Sequence, residues 1–180
     1  MKTLVSYYSH SGNNRYIAEK IASELGADLY SIQPRLSGIV FQVLATLSNC
    51  SLGFWKKGLT LDQYDRVILC GPIWMGKLIA PLKDFLKKYD RGIRSLYFVS
   101  CFSLSYAQKD TKYGYSASFE QVRSLMGERY AGEAVFSIDY LVPEAKKGDG
   151  KELMKTHLSD ENFTGEIAQR LTDFIGTLKV

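Results

Sequence analysis

The sequence repeats one pattern five times: a short apolar run, a polar break, and a stretch whose apolar residues recur every three or four positions. Short apolar runs are typical of buried strands, and a spacing of three and four is typical of helices with one buried face. Strands are predicted at residues 3–8, 28–32, 65–70, 95–100 and within 131–140. Strands that alternate with helices form a parallel sheet covered on both faces. We therefore predict an α/β fold, a three-layer, doubly wound sheet of five parallel strands, in one domain spanning residues 1–180.

The helices connect these strands and are predicted near residues 17–25, 36–47, 81–89, 119–126 and 163–175. The fourth helix is expected to begin with a capping box formed by Ser118 and Gln121. The charged, glycine-containing residues 143–160 are expected to form an excursion over the surface. Phe54 and Trp55 either form a contact surface for a partner or pack on the body of the protein, and we favour the second interpretation.

Composition narrows the function classes. The chain has 180 residues, a net charge of +4 and no apolar run of the roughly 18 to 20 residues that a membrane span needs. Its lysines and arginines are scattered, which does not favour a nucleic-acid partner. The start of the chain lacks the pattern of a signal peptide, so a cytoplasmic location is expected. With His10 and His157 as the only histidines and no close cysteine pair, no metal site is expected.

The first strand ends in a polar stretch that precedes a helix, and this is how phosphate-binding turns are built. The stretch consists of Ser9, His10, Ser11, Gly12, Asn13 and Asn14. Hydroxyl groups donate to phosphate oxygens, glycine lets the backbone approach closely, and the free N–H groups of a helix's first turn attract an anion. The same residues could simply form a helix N-cap. The role of His10 stays open between a bond to the ligand, tuning by protonation, and a position in solvent.

Two further loops follow the third and fourth strands and should lie at the same edge of the sheet, where such folds bind ligands. The second loop contains Pro72, Ile73, Trp74, Met75 and Gly76, and the third contains Ser100, Cys101, Phe102 and Ser103. An indole and a thioether are suited to stacking on a flat ring, and the third loop offers small polar groups and backbone to its edge. A phosphate grip and a ring site together indicate a mononucleotide.

Other nucleotide and catalytic sites fit less well. The run from Gly71 to Lys77 matches most of a P-loop, but Leu78 stands where the magnesium-binding hydroxyl belongs, and Pro72 removes an amide donor. A receiver domain would need an acid pair after the first strand. Cys101 is expected to contribute its backbone to a cofactor site, not a nucleophile, because no base is placed to activate it.

The loops resemble those of the flavodoxin family. Ser9-His10-Ser11-Gly12-Asn13-Asn14 is similar to the family's first loop, T/S-x-T/S-G followed by T/N. Gly71-Pro72-Ile73-Trp74-Met75-Gly76, followed by Ala80-Pro81-Leu82, is similar to its S/G-P-I/V-W-x-G…P-L stretch. The resemblance implies the strand order 2-1-3-4-5 and FMN as cofactor, with the phosphate in the first loop and the isoalloxazine between the other two.

The resemblance leaves three functions open, and two of them are redox functions. The first is electron transfer through bound flavin to a redox partner protein. Alternatives are an FMN-dependent enzyme of the NAD(P)H/quinone or protoporphyrinogen type, with a small acceptor such as a quinone, and a cofactor-free interaction module. In the family, a peptide after the loop-two aromatic can reorient toward the flavin, and here it would be at Met75 or Gly76. Because many flavodoxins are strongly acidic and this chain is not, we expect a higher potential for the second electron.

Overall fold

The computed structural model describes residues 1–36, 38–55, 58–103, 108–147 and 149–179. Its strands are β1 (Thr3–Tyr7), β2 (Asp28–Ser31), β3 (Arg66–Cys70), β4 (Ile73–Trp74), β5 (Lys77–Leu78), β6 (Leu96–Phe102) and β7 (Tyr130–Ser137). Its α-helices are α1 (Asn13–Leu25), α2 (Ile39–Ser48), α3 (Ala80–Tyr89), α4 (Ser116–Met126), α5 (Gly150–Lys155) and α6 (Gly165–Leu178). No helix in these ranges is both long and apolar enough to span a bilayer.

Five strands form one parallel sheet in the order β2-β1-β3-β6-β7. Without the two-residue strands β4 and β5, this is the predicted order 2-1-3-4-5, so the predicted architecture is confirmed. All five residues of the central strand β3 are buried because helices cover both faces of the sheet. Side chains of α3 and α4 pack on one face, and those of α1 and α6 pack on the other.

Several element boundaries differ from the predictions. Strand β6 continues to Phe102 because its pairing with β7 continues to Ser137, so Ser100, Cys101 and Phe102 belong to a strand and not to a loop. The capping-box prediction was wrong: α4 is capped by Tyr115, and Ser118 lies inside the helix. There the Ser118 hydroxyl donates to the carbonyl of Gly76 at 2.9 Å.

Two regions were not anticipated in their observed form. Strands β4 and β5 make an antiparallel hairpin inside the predicted second loop. The described part of 143–160 does more than cross the surface, since Leu153 and Leu158 are buried with the core under α1 and α6. The two adjacent aromatics also separate: Phe54 is buried against Phe85, whereas Trp55 is exposed. The packing interpretation therefore holds for the first ring only.

Candidate functional site

A cleft of about 810 Å³ opens at the carboxyl ends of β1, β3 and β6. This volume lies within the usual range for ligand sites. Eleven of the residues predicted from the sequence line it, and they are His10, Ser11, Asn13, Asn14, Pro72, Ile73, Trp74, Met75, Cys101, Phe102 and Ser103. Ser9, Gly12, Gly76 and Ser100 are not among its lining residues. The three sequence segments are thus brought together around one cavity.

The first segment is a turn that leaves the start of α1 open. Gly12 adopts a left-handed conformation with φ of 95°, and its carbonyl accepts the first helical hydrogen bond, from the Tyr16 amide at 2.9 Å. The Ser9 hydroxyl accepts a bond from the Gly12 amide at 3.1 Å, which closes the turn. Within the described structure no side chain caps the helix and no acid lies in its first turn. The amides that begin α1 therefore remain available to an anion at the positive end of the helix.

Asn13 and Asn14 are buried, and their side chains hold the turn from behind. The Asn14 amide group donates to the Cys101 carbonyl at 2.9 Å, and its oxygen accepts from the Cys101 amide at 2.8 Å. The last pair between β3 and β6 is Cys70 with Val99. Cys101 lies beyond that pair, and Asn14 supplies the hydrogen-bond partner that β3 would otherwise provide. Asn13 similarly donates to the Thr156 carbonyl at 3.2 Å and accepts from the Leu158 amide at 2.8 Å. These side chains fix the position of the helix N-terminus.

The second segment is the hairpin β4–β5, which turns sharply at Met75 and Gly76. Both residues are left-handed, with φ of 51° and 70°, as a two-residue turn of type I′ requires. A side chain at Gly76 would place its Cβ atom 2.6 Å from the Lys112 carbonyl oxygen, so only glycine fits there. The turn therefore rests directly on the backbone that precedes α4.

Trp74 projects from the hairpin toward the first turn. Its ring centroid lies 6.1 Å from that of His10 with the planes perpendicular, and 6.5 Å from that of Tyr8. The Tyr8 hydroxyl in turn donates to the buried Gln42 side chain of α2. These edge-to-face contacts join the first two segments and leave Trp74 partly exposed in the cleft.

The third segment, at the end of β6, is mostly buried. Burial raises the pKa of the Cys101 thiol well above its ordinary value, so the thiol stays protonated near neutral pH. The Phe102 ring packs on Tyr115 with centroids 4.9 Å apart. The Ser100 side chain is buried and lies outside the cleft lining, and its hydroxyl has no partner among the described residues. This segment thus presents backbone and the exposed Ser103 to a ligand.

Sequence reasoning missed eight residues that also line the cleft: Ile39, Val43, Tyr113, Tyr115, Ile138, Leu153, Thr156 and His157. The two tyrosines follow the fourth predicted strand, and aromatic residues there could have suggested a second ring contact. The residues from α2 and from 153–157 carry no such signal, because only packing brings them to the cleft. The described lining contains no Asp, Glu, Lys or Arg. No cluster of metal-binding side chains occurs in the described ranges either.

An open parallel sheet with a mononucleotide-sized cleft at its switch point defines the class of flavodoxin-like folds. The sequence model of the flavodoxin domain matches residues 4–137. The chain therefore belongs to the flavodoxin family. A search of curated protein sequences finds no significant match.

Solved structures share this fold at low sequence identity. A flavoprotein from Bacteroides eggerthii is 14% identical over 99% of this chain and 98% of its own, with a TM-score of 0.67. A flavoprotein from Lactobacillus acidophilus, solved in complex with FMN, is 21% identical over 74% of this chain and 92% of its own, with a TM-score of 0.58. The flavodoxin of Streptococcus pneumoniae is 16% identical over the full length of both chains, with a TM-score of 0.52.

Proposed function

We propose that this protein is a single-domain, cytoplasmic redox protein that binds FMN in the cleft and transfers electrons through it. The observation that carries the proposal is the distribution of chemistry along the cleft: open helix amides at one end and Trp74 at the other. A phosphate needs the first and a flat heterocycle needs the second. The Lactobacillus acidophilus relative, which was solved with FMN, supports the same ligand.

The residues at the phosphate end have the right chemistry for a phosphate monoester. The amides at the start of α1 and the Ser11 hydroxyl supply donors, and the positive end of the helix favours the negative charge. The side chains of Asn13 and Asn14 are already bonded to the protein, so we assign their contribution to the backbone. The free volume of about 810 Å³ accommodates the phosphate and the ring together.

The described residues at the ring end include no charged side chain that would lie beside a flavin. Trp74 offers a ring face, and Tyr113 and Tyr115 add aromatic surface from the segment before α4. FMN supplies one- and two-electron chemistry that the side chains of the site lack. The Gly76 carbonyl, which belongs to the peptide between Gly76 and Lys77, already accepts a bond from Ser118. We therefore assign the reorientation that the family resemblance implies to the preceding peptide, between Met75 and Gly76.

The direct test is purification of the protein and measurement of its absorption. We expect a yellow protein that releases FMN on denaturation. Trp74→Ala should weaken FMN binding about tenfold or more, because stacking on an aromatic ring is worth about 1–3 kcal/mol. Trp55→Ala is the matched control, since that indole lies outside the lining of the cleft. A colourless protein that does not bind added FMN would rule the proposal out in favour of a cofactor-free interaction module.

A second candidate is an FMN-dependent oxidoreductase that reduces a small acceptor such as a quinone. Ile39 and Val43 of α2 favour it, because they add an apolar wall to the cleft that an apolar acceptor could contact. Oxidation of NAD(P)H with a quinone by the pure protein would identify an enzyme. Reduction that requires a separate reductase would identify a carrier that serves a redox partner protein.

A further inference from the structure

Helix α2 has its polar and apolar faces inverted. Gln42 and Thr46 are almost fully buried: Gln42 accepts from the Tyr8 hydroxyl, and the Thr46 hydroxyl accepts from the Ala80 amide at 3.1 Å. The apolar side chains point outward instead and are 45 to 64% exposed. We define the α2 outer face by these residues: Leu36, Ile39, Val40, Phe41, Leu44 and Leu47. A surface helix of a protein that works free in water normally has the opposite arrangement.

The α2 outer face is large for a surface that stays in water. Five of its six large apolar residues lie on α2, and Leu36 precedes the helix. Positions three and four apart are neighbours on a helix, so Val40, Leu44 and Leu47 adjoin one another. Single exposed apolar residues need no explanation, but a contiguous patch of several hundred square ångström marks an interaction site. The buried hydrogen bonds of Gln42 and Thr46 hold the helix in this orientation, so the exposure is a property of the fold.

The stretch of sequence that contains α2 has basic residues and no acidic ones. The sequence contains no acidic residue between Asp28 and Asp62, whereas Arg35, Lys56 and Lys57 lie in that interval. The acid on the neighbouring helix, Asp84, is buried and accepts from the amides of Leu52 and Gly53 at 3.0 and 2.8 Å. The interval that contains α2 therefore has no acidic residue, and the one acid of α3 is turned inward.

Basic side chains border the face on two sides. Lys83 donates to the side chain of Asn49, which caps the end of α2, at 2.9 Å. Lys83 and Lys87 lie on α3 and Lys77 lies on β5, and both elements contact α2, so three lysines lie beside the helix. Burial and the nearby charges of Lys77 and Lys87 lower the pKa of Lys83. On the other side, the Arg35 guanidinium lies 5.5 Å from the ring centroid of the exposed Trp55. An apolar helix face bordered by basic side chains and an exposed indole is typical of helices that lie in the interface of a bilayer.

We propose that the α2 outer face docks the protein reversibly on the surface of a bilayer that contains anionic lipid. The apolar side chains would enter the region between head groups and acyl chains, and the surrounding lysines and Arg35 would contact lipid phosphates. A second copy of the chain fits the face less well. A symmetric contact between two copies would bring the same basic border against itself.

Docking through α2 would bring the cleft close to the bilayer, because the helix borders the cleft. Ile39 belongs to the α2 outer face and also lines the cleft, together with Val43 of the same helix. A bilayer on the α2 outer face would therefore lie next to the mouth of the cleft, within reach of an apolar acceptor dissolved in the membrane. This consequence rests on the proposed function; the docking itself does not, and it can be tested without FMN.

The test is flotation of the protein, with and without added FMN, with vesicles of phosphatidylglycerol and phosphatidylcholine and with vesicles of phosphatidylcholine alone. We expect binding to the anionic vesicles, much weaker binding to the neutral ones, and loss of binding at high salt because the lipid charges are screened. The triple variant Val40→Gln, Phe41→Gln, Leu44→Gln should lower the partition coefficient at least tenfold. Lys77→Gln with Lys87→Gln should lower it severalfold and only for the anionic vesicles.

Matched controls separate docking from damage to the fold. Leu125→Gln changes a side chain on α4 that is 43% exposed, and it should bind vesicles like the unchanged protein. All variants should melt within a few degrees of the unchanged protein, since the substituted side chains face water. Failure of the unchanged protein to bind anionic vesicles, or undiminished binding by the triple variant, would overturn the proposal. So would a dimer in solution that the triple variant converts to monomer, because the face would then join two copies.

Discussion

The two ends of the cleft are held in place by different forces. At the phosphate end, buried side chains make hydrogen bonds to distant backbone: Asn14 to Cys101, and Asn13 to Thr156 and Leu158. At the ring end, the hairpin tip receives one such bond, from the Ser118 hydroxyl to the Gly76 carbonyl. Otherwise it depends on a tight left-handed turn at Met75 and Gly76 and on backbone packed against backbone. The first end is a rigid part of the sheet edge, and the second is an exposed turn.

This difference suggests that the two ends of the cleft have different roles in binding a ligand. A phosphate needs donors at fixed positions, and buried hydrogen bonds provide fixed positions at a cost of about 1–3 kcal/mol whenever one is left unpaired. A flavin ring that changes its protonation with its redox state needs a wall that can adjust, and an exposed turn provides one. We therefore expect loss of the buried asparagine bonds at the phosphate end to affect mainly folding stability, and substitutions in the hairpin at the ring end to affect ligand binding as well.

The largest effect is expected for Asn14→Ala. It leaves the amide and carbonyl of Cys101 without their partner, so the free energy of unfolding should fall by about 3 kcal/mol. Urea denaturation of the FMN-free protein measures this. Gln169→Ala, which removes an exposed hydrogen bond on α6, is the control and should change stability by less than about 0.5 kcal/mol. A similar loss in both variants would mean that the Asn14 bonds are not what fixes this end.

The next effect is expected for Gly76→Ala, which adds a Cβ atom 2.6 Å from the Lys112 carbonyl oxygen at a left-handed position. We expect a loss of about 2 kcal/mol in unfolding free energy and weaker FMN binding, because the hairpin must shift. Gly26→Ala is the matched control: its φ is 57°, but open space surrounds the added atom. It should cost about 1 kcal/mol and leave FMN binding unchanged. Equal losses of unfolding free energy in the two variants would show that the Met75–Gly76 turn does not pack against the Lys112 backbone.

A smaller effect concerns the two one-electron potentials of the bound flavin. Because the described cleft lining has no acidic residue, the more negative potential should lie above that of an acidic flavodoxin measured under the same conditions. Met75→Asp should lower it by about 60 mV, a tenfold change in a one-electron equilibrium, because it adds a negative charge to the lining. Met75→Asn is the uncharged control and should change it much less. A redox titration that gives a value equal to or below that of acidic flavodoxins would contradict the expectation.

The smallest effect is expected for His10, which joins the two ends through its contact with Trp74. His10→Ala should weaken FMN binding about twofold to fivefold, since an edge-to-face contact is worth about 0.5–1 kcal/mol. His10→Phe keeps a ring and should restore most of the affinity. If His10→Ala binds FMN equally well, with unchanged potentials at pH 6 and pH 8, His10 is a bystander.

The architecture was predictable because each strand and helix carries its own signal. The central strand Arg66–Cys70 is apolar along its length, and Ile17, Ile21 and Leu25 repeat at the spacing of a helix. The three loops could be located because parallel strands place their carboxyl ends at one edge. The predicted end of β6 was wrong because β7 continues to pair with it as far as Phe102. The predicted start of α4 was wrong because the helix begins before Ser118.

Local sequence thus determined where strands and helices form, the order in which they alternate, and which three segments meet around one cleft. Tertiary structure alone decided what those residues do there. Asn14 reads as a phosphate ligand in sequence, yet it completes the hydrogen bonding of β6 where β3 has ended. The apolar spacing of α2 predicts a buried face, but the hydrogen bonds of Gln42 and Thr46 turn that face outward. The reason is physical: periodicity reports which side chains share a face, and only the partners of the buried polar groups determine which face points inward.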